Sequence, residues 1–272
     1  VVKELLHDEK QYLRDLHMII RVFREELIKI VDDPRELDPI FSNIMDIYEL
    51  TVTLLGSLED VIEMSQEQST PCIGSCFEEL AEAAEFDVYI NYANEVTSQQ
   101  AKDALTNLLA RPKAQSLIAS GHGFTEAVRY YLPKLLLTPI GHTFVYMEYV
   151  DKLLQLSNNQ EDQESLDNVK GLFEPLKFEL NKLIPLLPKE SLMRTNSRVR
   201  RQQAIEKTKE LQSTVEHWDK DIGQCCNEFI REDTIMKLVS GKRNTERKVF
   251  LFDGLLVLCK ANTKKQTVSG AT

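Results

Sequence analysis

The chain has 272 residues, of which 42% are hydrophobic, and this is enough to build the core of one large domain or two modest ones. Its formal net charge of −10 argues against the cationic surface that binds phosphate backbones, so nucleic acid is not expected as a partner. No apolar run approaches the ~20 residues that a membrane-spanning helix needs, and the N-terminus lacks a signal-peptide pattern. We therefore expect a cytoplasmic protein that is recruited to the plasma membrane.

The chain contains no pattern typical of a metal site or of covalent catalysis. Its five cysteines include no CxxC pair and no histidine at zinc-ligand spacing, which predicts reduced thiols. A nucleophile elbow, a Walker loop and an HExxH motif are all absent, so we expect no cofactor and no covalent chemistry. Because the chain starts without methionine inside a helical pattern, it is expected to be part of a longer protein.

Most of the chain has helical periodicity. The first helix is indicated by apolar residues at i, i+3 and i+4 spacing between Leu5 and Phe23. Further helical patterns lie at about 36–64, 74–84, 86–96, 99–109, 113–136, 138–156 and 199–218. The helix at 138–156 opens on Thr138, whose hydroxyl can cap free N–H groups, and on Pro139, which the first helical turn tolerates. Two segments that are polar or contain proline are predicted to be irregular, 157–164 and 185–201.

Strand-type sequence replaces the helical periodicity near Asp221. Residues 246–260 place Asp253 and Gly254 between two apolar runs, and Asp-Gly is a preferred pair in a type I′ hairpin turn. A preceding strand is predicted over 229–239. Three strands without a covering helix would expose an apolar face, so the domain that they begin is expected to continue further.

Glu9 is the most informative single residue of the helical part. At about 100° per residue it falls in the middle of the apolar stripe of the first helix, between Leu5, Tyr12 and Leu16. A buried carboxylate needs a partner group, or a surface that another protein covers in a complex. Three alternatives stay open at this point: an internal salt bridge, a stripe edge that is wet by solvent, and an interaction site.

Basic residues flank the predicted strands. Cationic side chains around a short loop between strands can form a phosphate-binding nest. The residues in this arrangement are Lys237, Lys242, Arg243, Arg247 and Lys248. They form a candidate phosphoinositide-binding site, with solvated surface charge as the alternative.

Several segments carry a resemblance to a known family. The opening ELLHDEKQYLRDL is similar to the first conserved region of Dbl-homology (RhoGEF) domains, and LPKLLLTPIGHTFVYMEYVDKLLQL resembles the third. GSCFEELAE supports the same assignment. DIGQCCNEF and FLFDGLL closely resemble the linker and first hairpin of the pleckstrin-homology domain in members that act on both Ras and Rac. The resemblance implies a mainly α fold: an elongated Dbl-homology helical bundle at 1–220, then the first strands of a truncated pleckstrin-homology domain at 221–272.

The resemblance also implies a function. Dbl-homology domains bind Rho-family GTPases through the first and third conserved regions and the last helix, and they cause GDP and magnesium to leave. The implied function is a guanine-nucleotide exchange module for a Rac-like GTPase within a Ras and Rac exchange factor, with Glu9 engaging the first switch region. The residues implied to contact the GTPase are Glu9, Tyr12, Leu13, His142, Tyr146, Lys152 and Glu216.

Some positions depart from the family pattern. Gly141 and His142 replace a Gln-Arg pair, Val145 replaces an arginine, Asp151 a lysine and Glu216 an asparagine. Each change removes a hydrogen-bond donor that the GTPase would meet. One alternative is therefore a regulatory, autoinhibitory helical module of a Ras exchange factor with little exchange activity of its own. Another is a helical scaffold without any GTPase contact.

Overall fold

The computed structural model describes residues 1–65, 71–114, 124, 127–187, 197–218, 226, 228–238, 245–253 and 255–261. Its contacts divide the chain into two compact units, Val1–Arg194 and Thr195–Thr272. The last helix therefore groups with the strands in the second unit. The functional domain boundary at residue 220 stays a prediction.

All regular elements in the described part of the first unit are helices. Its α-helices are α1 (Val2–Met18), α2 (Glu25–Ile28), α3 (Asp38–Phe41), α4 (Ile44–Met64), α5 (Gly74–Glu82), α6 (Val88–Val96), α7 (Gln99–Ala110), α8 (Leu132–Leu135), α9 (Thr138–Leu156) and α10 (Gln160–Leu183). Two π-helical segments, Ile19–Arg24 and Ala127–Tyr131, and three 3-10 turns, Pro34–Leu37, Glu85–Asp87 and Ile184–Leu186, join them. In the described part of the chain, no helix is both long enough and apolar enough to cross a membrane.

The apolar stripe predicted for the first helix is confirmed. Leu5, Tyr12 and Leu16 are buried along α1, and the stripe continues through the π-helical segment to Phe23. The stripe packs into one buried cluster that also takes apolar side chains from α4, α6, α9 and α10. This packing places α1 against α9, where the residues of the candidate site meet.

The helix predicted at 36–64 is interrupted. Ser42 has a φ of 46°, which ends α3, and α4 begins two residues later. The side chains at the break bind α6: Ser42 Oγ donates to Glu95 Oε2 at 2.5 Å, and Asn43 Nδ2 donates to the Val88 carbonyl at 3.0 Å. These tertiary hydrogen bonds stabilise a break that helical periodicity does not reveal.

The segment 157–164, predicted to be irregular, is mostly helical. Asn159 caps α10 by accepting a hydrogen bond from the Glu161 amide at 2.9 Å, and the helix starts at Gln160. Polar and acidic residues are preferred at the N-cap and in the first turn of a helix. This preference explains why segment 157–164 is polar although most of it is helical. The irregular segment 185–201 is also corrected in part, because α11 begins at Ser197.

α9 begins at Thr138, as predicted, but the Thr138 hydroxyl does not cap it. The hydroxyl donates backwards to the Leu135 carbonyl at 2.7 Å, and the N-cap position is held by Leu137 without a side-chain hydrogen bond. Of the helix predicted at 113–136, the described part contains the π-helical segment and α8.

Close approach of α5 and α10 depends on Gly74. A Cβ atom at Gly74 would lie 2.8 Å from the Ser165 Cβ and 2.9 Å from the Asp162 carbonyl oxygen. The Gly74 amide donates to Asp162 Oδ1 at 2.7 Å, and Ser157 Oγ donates to the other carboxylate oxygen at 2.7 Å. Asp162 thus satisfies the start of α5 across the helix interface.

The second unit contains α11 (Ser197–Thr214) and a three-stranded antiparallel sheet, β1 (Phe229–Lys237), β2 (Thr245–Phe252) and β3 (Leu256–Cys259), in the order β1-β2-β3. The predicted preceding strand and hairpin are confirmed. Gly254 lies outside the described residues, but the Phe252 amide donates to the Leu255 carbonyl at 2.8 Å across the turn.

The expectation of a sheet without a covering helix is wrong for one face. Ala204 and Leu211 of α11 share a buried cluster with Phe250 and Phe252 of β2. Lys207 reinforces this contact: its Nζ lies 2.8 Å from Glu232 Oε2 and 5.2 Å from the centre of the Phe250 ring. On the other face, Leu251, Leu256 and Leu258 remain exposed.

Candidate functional site

Glu9 is completely buried between α1 and α9, with 0% of its side chain exposed. Its Oε1 accepts a hydrogen bond from the Tyr146 hydroxyl at 2.7 Å, and its Oε2 lies 2.9 Å from His142 Nε2. An ionised carboxylate only accepts hydrogen bonds, so the His142 tautomer bearing a hydrogen on Nε2 is the one that fits. Of the alternatives that the sequence left open for Glu9, this geometry is the internal pair, and the complete burial excludes a stripe edge wet by solvent.

Helical spacing brings the two donors to the same carboxylate. His142 and Tyr146 are four residues apart and therefore share one face of α9. A parallel contact lies beside them, where the Tyr149 hydroxyl donates to Asp8 Oδ2 at 2.6 Å. Two adjacent carboxylates of α1 are thus held by donors from the same helix.

An aromatic shell surrounds the carboxylate. The Tyr12 ring stacks on the His142 ring with centroids 3.7 Å apart, and the Tyr146 ring meets His142 edge-on at 4.6 Å. The hydroxyl oxygens of Tyr12 and Tyr89 are 3.2 Å apart. Rings on these sides exclude water from Glu9, which makes its hydrogen bonds stronger than they would be in solvent.

Burial and the nearby carboxylate keep the tyrosine hydroxyls of this aromatic shell protonated, so that they can donate hydrogen bonds. Burial raises the pKa of the Tyr146 phenol, and the charge of Glu9 raises it further. Burial is also the main cause of the raised pKa of Tyr12 and Tyr89. These phenols therefore keep their protons at neutral pH, and Tyr146 acts as a fixed donor to Glu9.

The structure brings together four of the seven residues implied to contact a GTPase: Glu9, Tyr12, His142 and Tyr146. Of these, only His142 reaches solvent, with 11% of its side chain exposed, because the other three are buried.

The other three implied contact residues lie outside this cluster. Leu13 is half-buried on α1, and Lys152 lies with its Nζ 5.5 Å from the centre of the Tyr149 ring. Glu216 is exposed in the second unit. The sequence did not single out Asp8, Tyr89 or Tyr149, because their roles follow from contacts between helices that no local spacing encodes.

Asp151, for which the family resemblance implies a lysine, is engaged within the first unit. Its Oδ1 lies 2.7 Å from Lys170 Nζ on α10. The hydrogen bond that Lys170 donates to Asp151 raises the pKa of Lys170, as expected for an ammonium group beside a carboxylate. The charge reversal at this position is therefore balanced by a residue of the same chain.

The described basic residues proposed for phosphoinositide binding do not all lie on the same face of the sheet. Arg247 and Lys248 are consecutive on β2, so their side chains leave opposite faces. Lys248 Nζ lies 3.5 Å from Glu232 Oε1 on the face covered by α11. Lys237 ends β1, and Lys242 and Arg243 lie outside the described residues.

Chemistry at a metal or a thiol finds no support among the described side chains. No three of their His, Cys, Asp and Glu groups are placed to hold a metal ion. Cys72, Cys76 and Cys259 are free thiols, and burial raises the pKa of Cys76 to about 11. A buried thiol with a raised pKa is inert rather than nucleophilic.

The RhoGEF domain model matches residues 1–181, and the chain therefore belongs to the RhoGEF domain family.

The chain is also similar to individual members of that family. It is 70% identical to the protein Son of sevenless of Drosophila melanogaster, over 100% of this chain and 17% of that protein. It is 29% identical to the Son of sevenless homolog of Caenorhabditis elegans, over 96% of this chain and 20% of that protein. The chain thus spans about a fifth or less of the length of these relatives.

A solved structure supports the fold. The Vav1 exchange factor, in a structure that addresses its PH and C1 domains, superposes with a TM-score of 0.54 at 20% identity, over 96% of this chain and 65% of that one. The predicted fold class, a Dbl-homology helical bundle followed by pleckstrin-homology strands, is confirmed.

Proposed function

We propose that this chain is the exchange module of a longer protein and that it promotes GDP release from a Rac-like Rho-family GTPase. The observation that carries the proposal is the RhoGEF domain match over residues 1–181, which includes both helices of the candidate site. Glu9 on α1 and His142 on α9 lie in the two regions that the family resemblance assigns to the GTPase contact.

The proposed mechanism is a population shift. The module binds the nucleotide-free GTPase more tightly than the GDP-bound form, and only this difference in affinity can drive release. Glu9 supplies a negative charge at the first switch region and competes there with the contacts that retain the nucleotide. No covalent bond forms or breaks on this chain, so the module is an exchange factor and not a hydrolase or transferase.

The experiment is release of fluorescent GDP from purified Rac at several concentrations of the chain. Glu9→Gln removes the charge but keeps the shape, so the Tyr146 hydroxyl still has an oxygen to which it can donate. Glu63→Gln, at an exposed position of α4 and outside both of these regions, is the matched control. Acceleration by the parent chain and by the control, but not by Glu9→Gln, supports the proposal. Release no faster than in buffer at every concentration rejects it.

A second candidate function is regulation of a Ras exchange factor by this module. Two observations favour it: Glu9 is completely buried, and Asp151, whose carboxylate offers a GTPase no donor, is paired with Lys170. The module then occludes a GTPase-binding surface elsewhere in the parent protein. Deleting it from the full-length protein should raise exchange on Ras, and unchanged Ras exchange would reject this function.

We further propose that the parent protein is cytoplasmic and that the second unit assists its recruitment to the plasma membrane. The support is the cationic set around β1 and β2, in which Arg247 lies on the face away from the Lys248–Glu232 pair. Phosphoinositide headgroups are the membrane ligands that such a set recognises.

A further inference from the structure

We propose that Lys170 on α10 is a further residue of the GTPase-contact surface, and that it supplies the cation for which the family resemblance implies a lysine on α9, where Asp151 stands. This role rests on the proposed exchange function and adds one residue to its contact surface. It does not depend on Glu9, which is bound between α1 and α9.

α9 has buried residues that face the core and half-buried residues that a partner can reach. Phe144, Tyr149 and Val150 are among the buried ones. The half-buried residues include Gly141, His142, Val145, Glu148, Asp151 and Lys152. All four positions of α9 at which the sequence departs from the family pattern are therefore half-buried. A protein that docks on α9 meets these positions rather than the core.

Asp151 and Lys170 form an ion pair that joins the accessible part of α9 to α10. Asp151 Oδ1 lies 2.7 Å from Lys170 Nζ, and 47% and 48% of the two side chains are exposed. An ion pair that is exposed to this degree contributes little to the stability of a fold. Its main consequence is the placement of charge, because it holds an ammonium group of α10 at the surface of α9.

The pair moves a positive charge from one helix to the next. A lysine on α9 would place an ammonium group there, whereas Asp151 reverses the charge and Lys170 returns a cation 2.7 Å from the carboxylate. The hydrogen bond to Asp151 raises the pKa of Lys170, and the charges of Asp167 and Glu174 raise it further. The ammonium group therefore keeps its proton at neutral pH.

Lys170 has donors to offer to a partner. Its ammonium group carries three N–H donors, and the pair with Asp151 uses one oxygen of the carboxylate. The other donors can bind a carboxylate or carbonyl oxygen of a docked GTPase. Asp151 is a positioning residue in this arrangement, because it acts through Lys170, which itself touches the GTPase.

The exposure of Lys170 determines which kinetic quantity it affects. Charges at the exposed edge of an interface change the association rate and its salt dependence, and salt screens them. Loss of Lys170 should raise the concentration of the chain that gives half of the maximal rate of GDP release. The maximal rate itself should stay unchanged. An ion pair that only stabilises the fold predicts no change in this half-maximal concentration.

The test is release of fluorescent GDP from Rac over a range of concentrations of the chain, at low and at high ionic strength. Lys170→Gln removes the charge and keeps a polar side chain. Lys113→Gln is the matched control, because Lys113 Nζ also lies 2.7 Å from a carboxylate oxygen, Asp32 Oδ1. Residue 113 lies outside the first and third conserved regions. Thermal unfolding measures the stability of each protein.

Lys170→Gln should raise the half-maximal concentration about threefold at low ionic strength and change it little at high ionic strength. Lys113→Gln should match the parent chain under both conditions. Equal half-maximal concentrations for Lys170→Gln and the parent chain overturn the contact. An equal rise in both lysine variants also overturns it, because the loss of one charge anywhere on the chain would then account for the effect.

Exchange of the two charges tests whether Lys170 takes the place of a lysine on α9. Lys170→Asp sets two carboxylates side by side and should raise the half-maximal concentration more than Lys170→Gln does. Adding Asp151→Lys restores the ion pair with the cation on α9, and the half-maximal concentration should return to that of the parent chain. A double variant that stays as weak as Lys170→Asp overturns the replacement.

Failure of the proposed function has a different signature. In that case neither the parent chain nor any variant accelerates GDP release at any concentration. If the parent chain accelerates release and Lys170→Gln accelerates it equally at every concentration, the exchange function stands and the contact of Lys170 alone is overturned.

Discussion

Glu9 Oε2 lies 2.9 Å from Nε2 of His142 although 133 residues separate them in the chain. The same carboxylate is bound by Tyr146, so one face of α9 supplies both donors. This relationship makes an acidic residue of the first helix part of the buried core.

Gly74→Ala should destabilise the first unit. The added Cβ would lie 2.8 Å from the Ser165 Cβ and 2.9 Å from a backbone oxygen, so α5 and α10 must move apart at a cost of about 1–3 kcal/mol. Gly171→Ala on α10 is the control, because no atom lies within 4 Å of its added Cβ. That change should be neutral or stabilise by up to about 1 kcal/mol. Urea denaturation followed by circular dichroism measures both, and equal midpoints would contradict the close packing.

The pair between Lys207 and Glu232 should make the second unit sensitive to acid. The hydrogen bond from Lys207 lowers the pKa of Glu232 below its ordinary value. A carboxyl group with a lowered pKa in the folded state stabilises the protein above its unfolded pKa of roughly 4.3, and this contribution is lost as the pH falls through the folded value.

The measurement for this pair is urea unfolding followed by fluorescence between neutral and acidic pH. Trp218 is the single tryptophan of the chain and packs against the α11–sheet cluster, so its fluorescence reports the second unit. Acidification should lower the midpoint of the parent chain more than that of Glu232→Gln. Glu246→Gln, on the same sheet, should behave like the parent. An identical pH dependence in all three proteins would exclude the pair as a source of stability.

Arg247 and Lys248 should differ in their effect on membrane binding. Lys248 is engaged with Glu232, whereas Arg247 leaves the opposite face of β2. Arg247→Gln should lower the affinity for vesicles containing a phosphoinositide by about fivefold, the effect of one basic residue near an anionic surface, and Lys248→Gln should have less effect. Sedimentation with these vesicles measures both. Equal losses, or none, would contradict the assignment of the two faces.

Much of the architecture was predictable because it depends on local pattern. The apolar stripe of α1, the start of α9 at Thr138 and the strands around Asp253 follow from periodicity and turn chemistry. The break at Ser42 could not be predicted in this way, because it is stabilised by hydrogen bonds to α6, which is distant in the chain. The start of α10 was missed because polar residues that cap a helix resemble those of a loop.

The candidate site was predictable only in part. The position of Glu9 in an apolar stripe indicated that it needs a partner, and the family resemblance named His142 and Tyr146, which share one face of α9. That these two faces meet, and that Tyr146 is buried rather than available to a GTPase, depends on how α1 packs against α9. Such packing joins distant parts of the chain and leaves no local signal in the sequence.

The most direct test of the account is GDP release from Rac by the parent chain and by Glu9→Gln. The account predicts that the parent chain accelerates release and that Glu9→Gln does not. Release by Glu9→Gln as fast as by the parent chain would contradict the account, because exchange would then proceed without the Glu9 carboxylate.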